Sequence, residues 1–148
     1  MVRRLLIATA LGGAVAGLLD IAMAAAIYQT SLDVIMRSIA RGLIGREAMQ
    51  GGMSATLLGL GLQVLMGALI GVIYGAASLR APILRRHWIG FGVLYGLVVF
   101  VVMNWVVVPL SAVHAQPKFT LTVAALNIAA MIVFALVISA SARRVAKA

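Results

Sequence analysis

The stretch LLIATALGGAVAGLLDIAMAAAIY, residues 5–28, decides the fold. As a helix rising about 1.5 Å per residue it is long enough to cross a hydrocarbon layer about 30 Å thick. Its only charged residue is Asp20. A carboxylate at such depth costs roughly 2.5–3.5 kcal/mol on insertion scales, so it normally faces a protein interior or a wet cavity. The stretch therefore implies both a membrane span and other helices around it. Arg3 and Arg4 ahead of it resemble the start of a signal peptide. The apolar run is too long for one, however, and no convincing small-residue cleavage site precedes a soluble mature domain. A retained helix is the expectation.

Working outward, three more apolar runs reach span length, at about residues 53–77, 88–110 and 119–140. The whole chain suits a bilayer: 64% of residues are hydrophobic and 10% charged, with mean hydropathy +1.15. A soluble domain is about half apolar and a quarter charged. Cysteine is absent, which excludes disulfides, thiol catalysis and Cys-ligated metals. The expected fold is all-α: a transmembrane four-helix bundle forming a single integral membrane domain over residues 1–148.

Net charge is +9, from 12 basic and 3 acidic residues. Arg3, Arg4, Arg80, Arg85, Arg86, Arg143, Arg144 and Lys147 fall on one side of the expected topology. Arg37, Arg41, Arg46 and Lys118 fall on the other, a division of 8 to 4 among the 12. The positive-inside rule then places both termini in the cytoplasm. Basic residues flanking spans account for the charge, and nucleic acid is not an expected partner. Tyr28, Trp88 and Phe119 lie at expected span ends, where amphipathic rings favour the headgroup region. Pro82 breaks the inner loop, and Pro109 and Pro117 bracket the outer turn between the third and fourth spans.

Between the first two spans, residues 30–49 carry structure of their own. Thr30 and Asp33 have capping-box spacing, and Leu32, Ile35, Ile39 and Leu43 form one helical stripe. Asp33 and Arg37 stand four apart and can pair. Gly42, Gly45, Gly51 and Gly52 then interrupt the helix. The segment reads as a short amphipathic or re-entrant helix at the outer surface. Its arginines Arg37, Arg41 and Arg46 either rest on lipid phosphates or form a lid reaching toward Asp20. A partner-binding surface is the third alternative.

Small residues recur at packing distance. Gly59, Gln63, Gly67, Gly71 and Gly75 fall every fourth residue along the second span, Gly13 and Gly17 repeat the spacing in the first, and Gly92 and Gly96 in the third. Lipid offers little hydrophobic drive between helices, so close approach at small residues supplies the attraction. These glycines serve either tight packing within the bundle or a groove for another subunit's helix. Each span also carries one carboxylate or amide in its outer half or centre: Asp20, Gln63, Asn104 and Asn127. Two readings follow, a set of interhelical hydrogen bonds fixing helix order and a proton- or cation-responsive site with Asp20 as its titratable member.

No catalytic constellation is visible. His87 and His114 sit at span ends with no carboxylate close in sequence, and no spacing suggests a metal site, a cofactor or haem ligation. Enzymatic activity is not expected. The Gly12-Gly13 to Asp20 pattern, SIARGLIG at 38–45, Gly51-Gly52, Tyr95-Gly96 and MNWVVVPLS at 103–111 resemble a group of small bacterial inner-membrane proteins whose function is uncharacterised. The resemblance covers most of the chain, and its layout is distantly similar to the YagU-like family. It implies a bacterial inner-membrane location and a four-span bundle, with no mechanism attached. The expected function is that of a structural or accessory subunit, in a membrane complex or a homo-oligomer. The alternative is a small transporter or channel working through the polar layer.

Overall fold

The computed structural model describes residues 1–114, 116 and 118–147, so Pro117 lies outside the described residues. In order along the chain come α1 (Val2–Ile27), α2 (Leu32–Ile44), a 3-10 turn (Gly45–Gln50), α3 (Gly52–Arg80), the short α4 (Ile83–Arg86), α5 (Trp88–Leu110) and α6 (Leu121–Lys147). Among the described residues there is no strand. Four helices, α1, α3, α5 and α6, are long and apolar enough to cross a membrane. The chain is a four-helix bundle of the multi-pass membrane kind.

The helices outrun the apolar stretches because a helix pairs its own backbone groups and has no reason to stop where hydrocarbon ends. At its C-terminal end α6 therefore continues past residue 140 to Lys147, which carries Arg143 and Arg144 on helical turns. Its start falls at Leu121 rather than near 119. There Thr120 acts as cap, its Oγ1 accepting from the Val123 amide at 3.2 Å. The end of α1 is set by a Schellman turn: Gln29 takes φ +50°, and the Thr30 amide bonds Ala25 O at 3.0 Å. That commits Thr30 to closing α1. The N-cap of α2 is consequently Ser31, whose Oγ accepts from Val34 N at 3.3 Å, and not Thr30 as the capping-box spacing suggests.

Glycine also interrupts the chain later than expected. Gly42 stays inside α2, while Gly45 and Gly52, at φ +73° and +57°, make the breaks on either side of the 3-10 turn. Both conformations disfavour any residue with a β-carbon. The stripe of α2 points mainly outward: Leu32 and Leu43 are exposed, whereas Ala40 is fully buried with Ala48 and Ala55. Against α3 it presents Asp33, Met36 and Ala40. The helix thus crosses the first two turns of α3 and keeps its apolar edge toward lipid. A bond from Ala112 N to Gly42 O, 2.9 Å, ties it to the turn after α5.

Around the bundle the order is α3, α1, α6, α5. The α1–α3 seam is an antiparallel zipper of small residues. A β-carbon added at Gly67 would strike the Gly13 carbonyl, at Gly71 the Thr9 carbonyl, and at Gly75 the Thr9 hydroxyl. Gly17 is closed by the Gln63 carbonyl, and Gly59 by the backbone of Met36 in α2. On the far side, Gly92 meets Ser139 and Leu136 while Gly96 meets the backbone of Met131 and Ile132. Gly12, which the packing pattern omitted, seats Ser141 at the α1–α6 seam. Every glycine singled out for helix packing is therefore engaged within this one chain. Leu5, Ala16, Tyr74, Phe134, Ile138 and Ala142 form the core at and below the centre.

One seam stays open. α3 and α5 hardly touch along their length. Toward the end bearing the termini they are bridged by Tyr95, whose Oη donates to Ile70 O at 2.7 Å and whose ring lies 5.0 Å from that of Tyr74. From there outward an apolar cleft of about 320 Å³ separates them.

Candidate functional site in the membrane interior

The zipper that joins α1 to α3 also builds the polar centre. Gly17 brings the two backbones together at Gln63, and one turn beyond Gly17 comes Asp20. Gln63 Nε2 donates to Asp20 Oδ2 at 2.8 Å and to Gly17 O at 3.2 Å. The amide is thereby held by a main-chain acceptor on the same helix that carries the carboxylate. Asp20 is half-buried and opens on a small cavity of about 40 Å³ lined also by Met66, Ile70, Val99, Met103, Met131 and Phe134. All four spans contribute to it. A cavity of this size holds water when polar partners are present, and the carboxylate and amide supply them.

Beside this cavity lies the α3–α5 cleft, lined by Leu69, Ile73, Tyr95, Val98, Val102 and Val107 together with Met66, Ile70, Val99 and Met103. The last four residues line both spaces. They form a wall one side chain thick between a surface open to lipid and the carboxylate. Two of the four are methionines, whose unbranched, polarisable side chains repack at low cost. The cleft therefore offers an apolar body a place to lie, and the cavity offers its polar end an acceptor. Sequence reasoning found Asp20 and Gln63 but not this wall, since methionines in a span look like ordinary packing residues.

The shared layer of four polar residues does not form. Asn104 Nδ2 donates to Phe100 O at 2.9 Å within its own helix. The helix is irregular just beyond this bond: Met103–Val107 is a π-turn, and Pro109 has no N–H to give to the carbonyl four residues earlier. Phe100 lies in the regular turn before it, so Asn104 bonds back onto its own helix. Asn127 Nδ2 donates to Val123 O at 2.9 Å and to the Tyr28 hydroxyl at 3.2 Å, tying α6 to the C-terminal end of α1. Similar depth did not mean a common direction, because an asparagine in a helix can bond its own preceding turn.

Nor does the arginine segment reach Asp20. Arg37 is held by Asp33 in the one ion pair among the described residues and donates to Met49 O at 3.0 Å. Thr56, on α3, donates its hydroxyl to the other oxygen of Asp33. The hydroxyl of Thr56, and after it the Arg37 guanidinium, holds the Asp33 carboxyl below its ordinary value. Asp33 is thus the strut between α2 and α3, while Arg37 braces it and ties α2 to the 3-10 turn. Arg46 is exposed and Arg41 half-buried; neither forms an ion pair with Asp20 among the described residues.

Comparison with known proteins finds no matching family model, no matching curated protein and no matching solved structure. The chemistry of the site rests on its own geometry.

Proposed function

We propose that the chain is a non-enzymatic, multi-pass protein of a bacterial inner membrane, with both termini cytoplasmic, that takes a small amphiphilic cation from the bilayer onto Asp20. The division of basic residues, 8 against 4, supports the orientation. One observation carries the function: a half-buried carboxylate–amide pair stands behind an open apolar cleft, separated from it by a flexible wall. The cleft, about 320 Å³, lies at the lower end of ordinary ligand pockets. A primary alkylammonium meets the demands of both spaces, its tail in the cleft and its N–H donors on Asp20. The arrangement favours a carrier or binding protein over a channel, since the cavity of about 40 Å³ is no continuous pore.

The second reading is a structural or accessory subunit, alone as a homo-oligomer or in a larger complex. The glycine rows lend it nothing, because they are engaged within the chain. It draws support only from the cleft, which would seat one helix of a partner. Binding separates the two. Purified protein is expected to bind radiolabelled decylamine in preference to decanol, and Asp20→Asn to weaken amine binding about tenfold, or roughly 1.4 kcal/mol. Equal binding of amine and alcohol, or unchanged amine binding in Asp20→Asn, removes Asp20 from the function. Mass analysis after mild-detergent purification, showing a stoichiometric partner or a defined oligomer, would then favour the subunit.

A further inference from the structure

The end of the bundle that bears both termini gathers Arg85, Arg86, Arg143 and Lys147 around a surface pocket of about 390 Å³. No acidic residue is near to neutralise them. The three in the chain are Asp20 in α1, Asp33 in α2 and Glu47 in the 3-10 turn, and the last two belong to the opposite end. Within this group the Nε and Nη1 atoms of Arg85 are buried and have no hydrogen-bond partner among the described residues. A donor withdrawn from water without an acceptor is costly, and more so when it is charged.

The arrangement is built rather than loose. Tyr74, fully buried, donates its hydroxyl to Leu84 O at 3.0 Å, and Leu84 packs on the core, so α4 is clamped across the bundle end. This fixes the backbone that carries Arg85. Arg143 is held over the Trp88 ring, its guanidinium carbon 5.3 Å from the centroid. Both arginines are thus positioned by groups that leave their charge intact.

We propose that this pocket binds a phosphate oxyanion, presented by the headgroup of an anionic phospholipid. A phosphate among the four cations supplies the negative charge that no carboxylate side chain brings to this end. Trp88 opens α5 beside the pocket, at the level where aromatic rings mark the headgroup region. Basic pockets at helix ends recognise anionic headgroups by this chemistry. A soluble phosphate compound carries the same oxyanion, and the test separates the two.

Trp88 is a built-in reporter once Trp105, which faces outward, is replaced in a Trp105→Phe background. The full chain, reconstituted in phosphatidylcholine vesicles, is titrated with brominated phosphatidylglycerol or brominated phosphatidylcholine, and quenching of Trp88 is recorded. The anionic lipid is expected to quench with about fivefold preference. Arg85→Gln is expected to bring the preference to within about twofold of none, while Arg144→Gln, an equal loss of charge at an exposed position outside the pocket, leaves it intact. Lys147→Gln, at an exposed helix end where folding is not at stake, is expected to reduce it about twofold. Persistence of quenching under excess inorganic phosphate assigns the lipid; its reversal assigns a soluble phosphate compound to the same pocket. No anionic preference in the parent protein, or equal effects of the Lys147 and Arg144 variants, overturns the site.

Discussion

At Gly71 a β-carbon would collide with the Thr9 carbonyl, and at Gly67 with that of Gly13, whereas Gly61 and Gly90 face open space. Gly67 and Gly71 belong to the every-fourth-residue row of α3, whereas Gly61 and Gly90 stand outside any such row. Gly71→Leu must push α1 and α3 apart or distort one of them, which costs typically about 1–3 kcal/mol in a packed interior. Gly61→Leu has only lipid to displace and removes a helix-weakening residue. We expect thermal unfolding in detergent to show a clear fall for Gly71→Leu and none for Gly61→Leu. Comparable losses for both would mean that the zipper is not what holds α1 to α3. Gln63 belongs to the same seam. Gln63→Leu leaves Asp20 without its donor, and the expected cost is about 1 kcal/mol, since interhelical bonds in lipid are weak. Its larger effect should be on amine binding, through loss of the orientation that Gln63 gives the carboxylate.

The elements show how far the sequence could be read, and where it stopped. Four spans and the α2 segment were legible because hydropathy and helical period are properties of one helix at a time. The small-xxx-small rows pointed correctly to close packing, since a glycine row has one physical use in lipid. Direction around the helix axis was not legible. Asn104 and Asn127 sit near the depth of Asp20 yet bond their own preceding turns, and the π-turn over Met103–Val107 is a feature no periodicity reveals. Likewise Arg37 had the spacing to pair with Asp33, but the third member, Thr56, comes from another helix. The junction of α2 with α3 is therefore sensitive to acid. Folding holds Asp33 ionised more firmly than the unfolded chain does, so its contribution is whole above the ordinary carboxylate value of 3.8 and is lost as pH falls below it. Protection of Leu32–Ile44 against hydrogen exchange, taken relative to the intrinsic rate at each pH, should fall below that value, and Asp33→Asn should show the lowered protection already at neutral pH. If the variant exchanges like the parent protein at both, the strut carries no weight.

Over the whole molecule, three tight seams and one open one define a direction of access. α1–α3, α1–α6 and α5–α6 are closed by glycine and serine contacts, so a solute reaching Asp20 through them would have to part backbones in near contact. The α3–α5 seam asks only for movement of Met66 and Met103. Filling the cleft should therefore block loading without unfolding the bundle. Val98 lines the cleft and is half-exposed to lipid, so a larger side chain there has room to project without entering the core. Val98→Trp is expected to lower decylamine binding about tenfold, or roughly 1.4 kcal/mol. Val15→Trp, on the exposed face of α1 and away from both spaces, should bind as the parent does. The thermal midpoints of the two variants should agree, because both place an indole against lipid rather than in the core. Normal binding by Val98→Trp would show that the amine does not come through the cleft. Loss of binding in both variants would trace the effect to membrane perturbation. Loss confined to Val98→Trp makes the α3–α5 seam the route between the bilayer and the carboxylate.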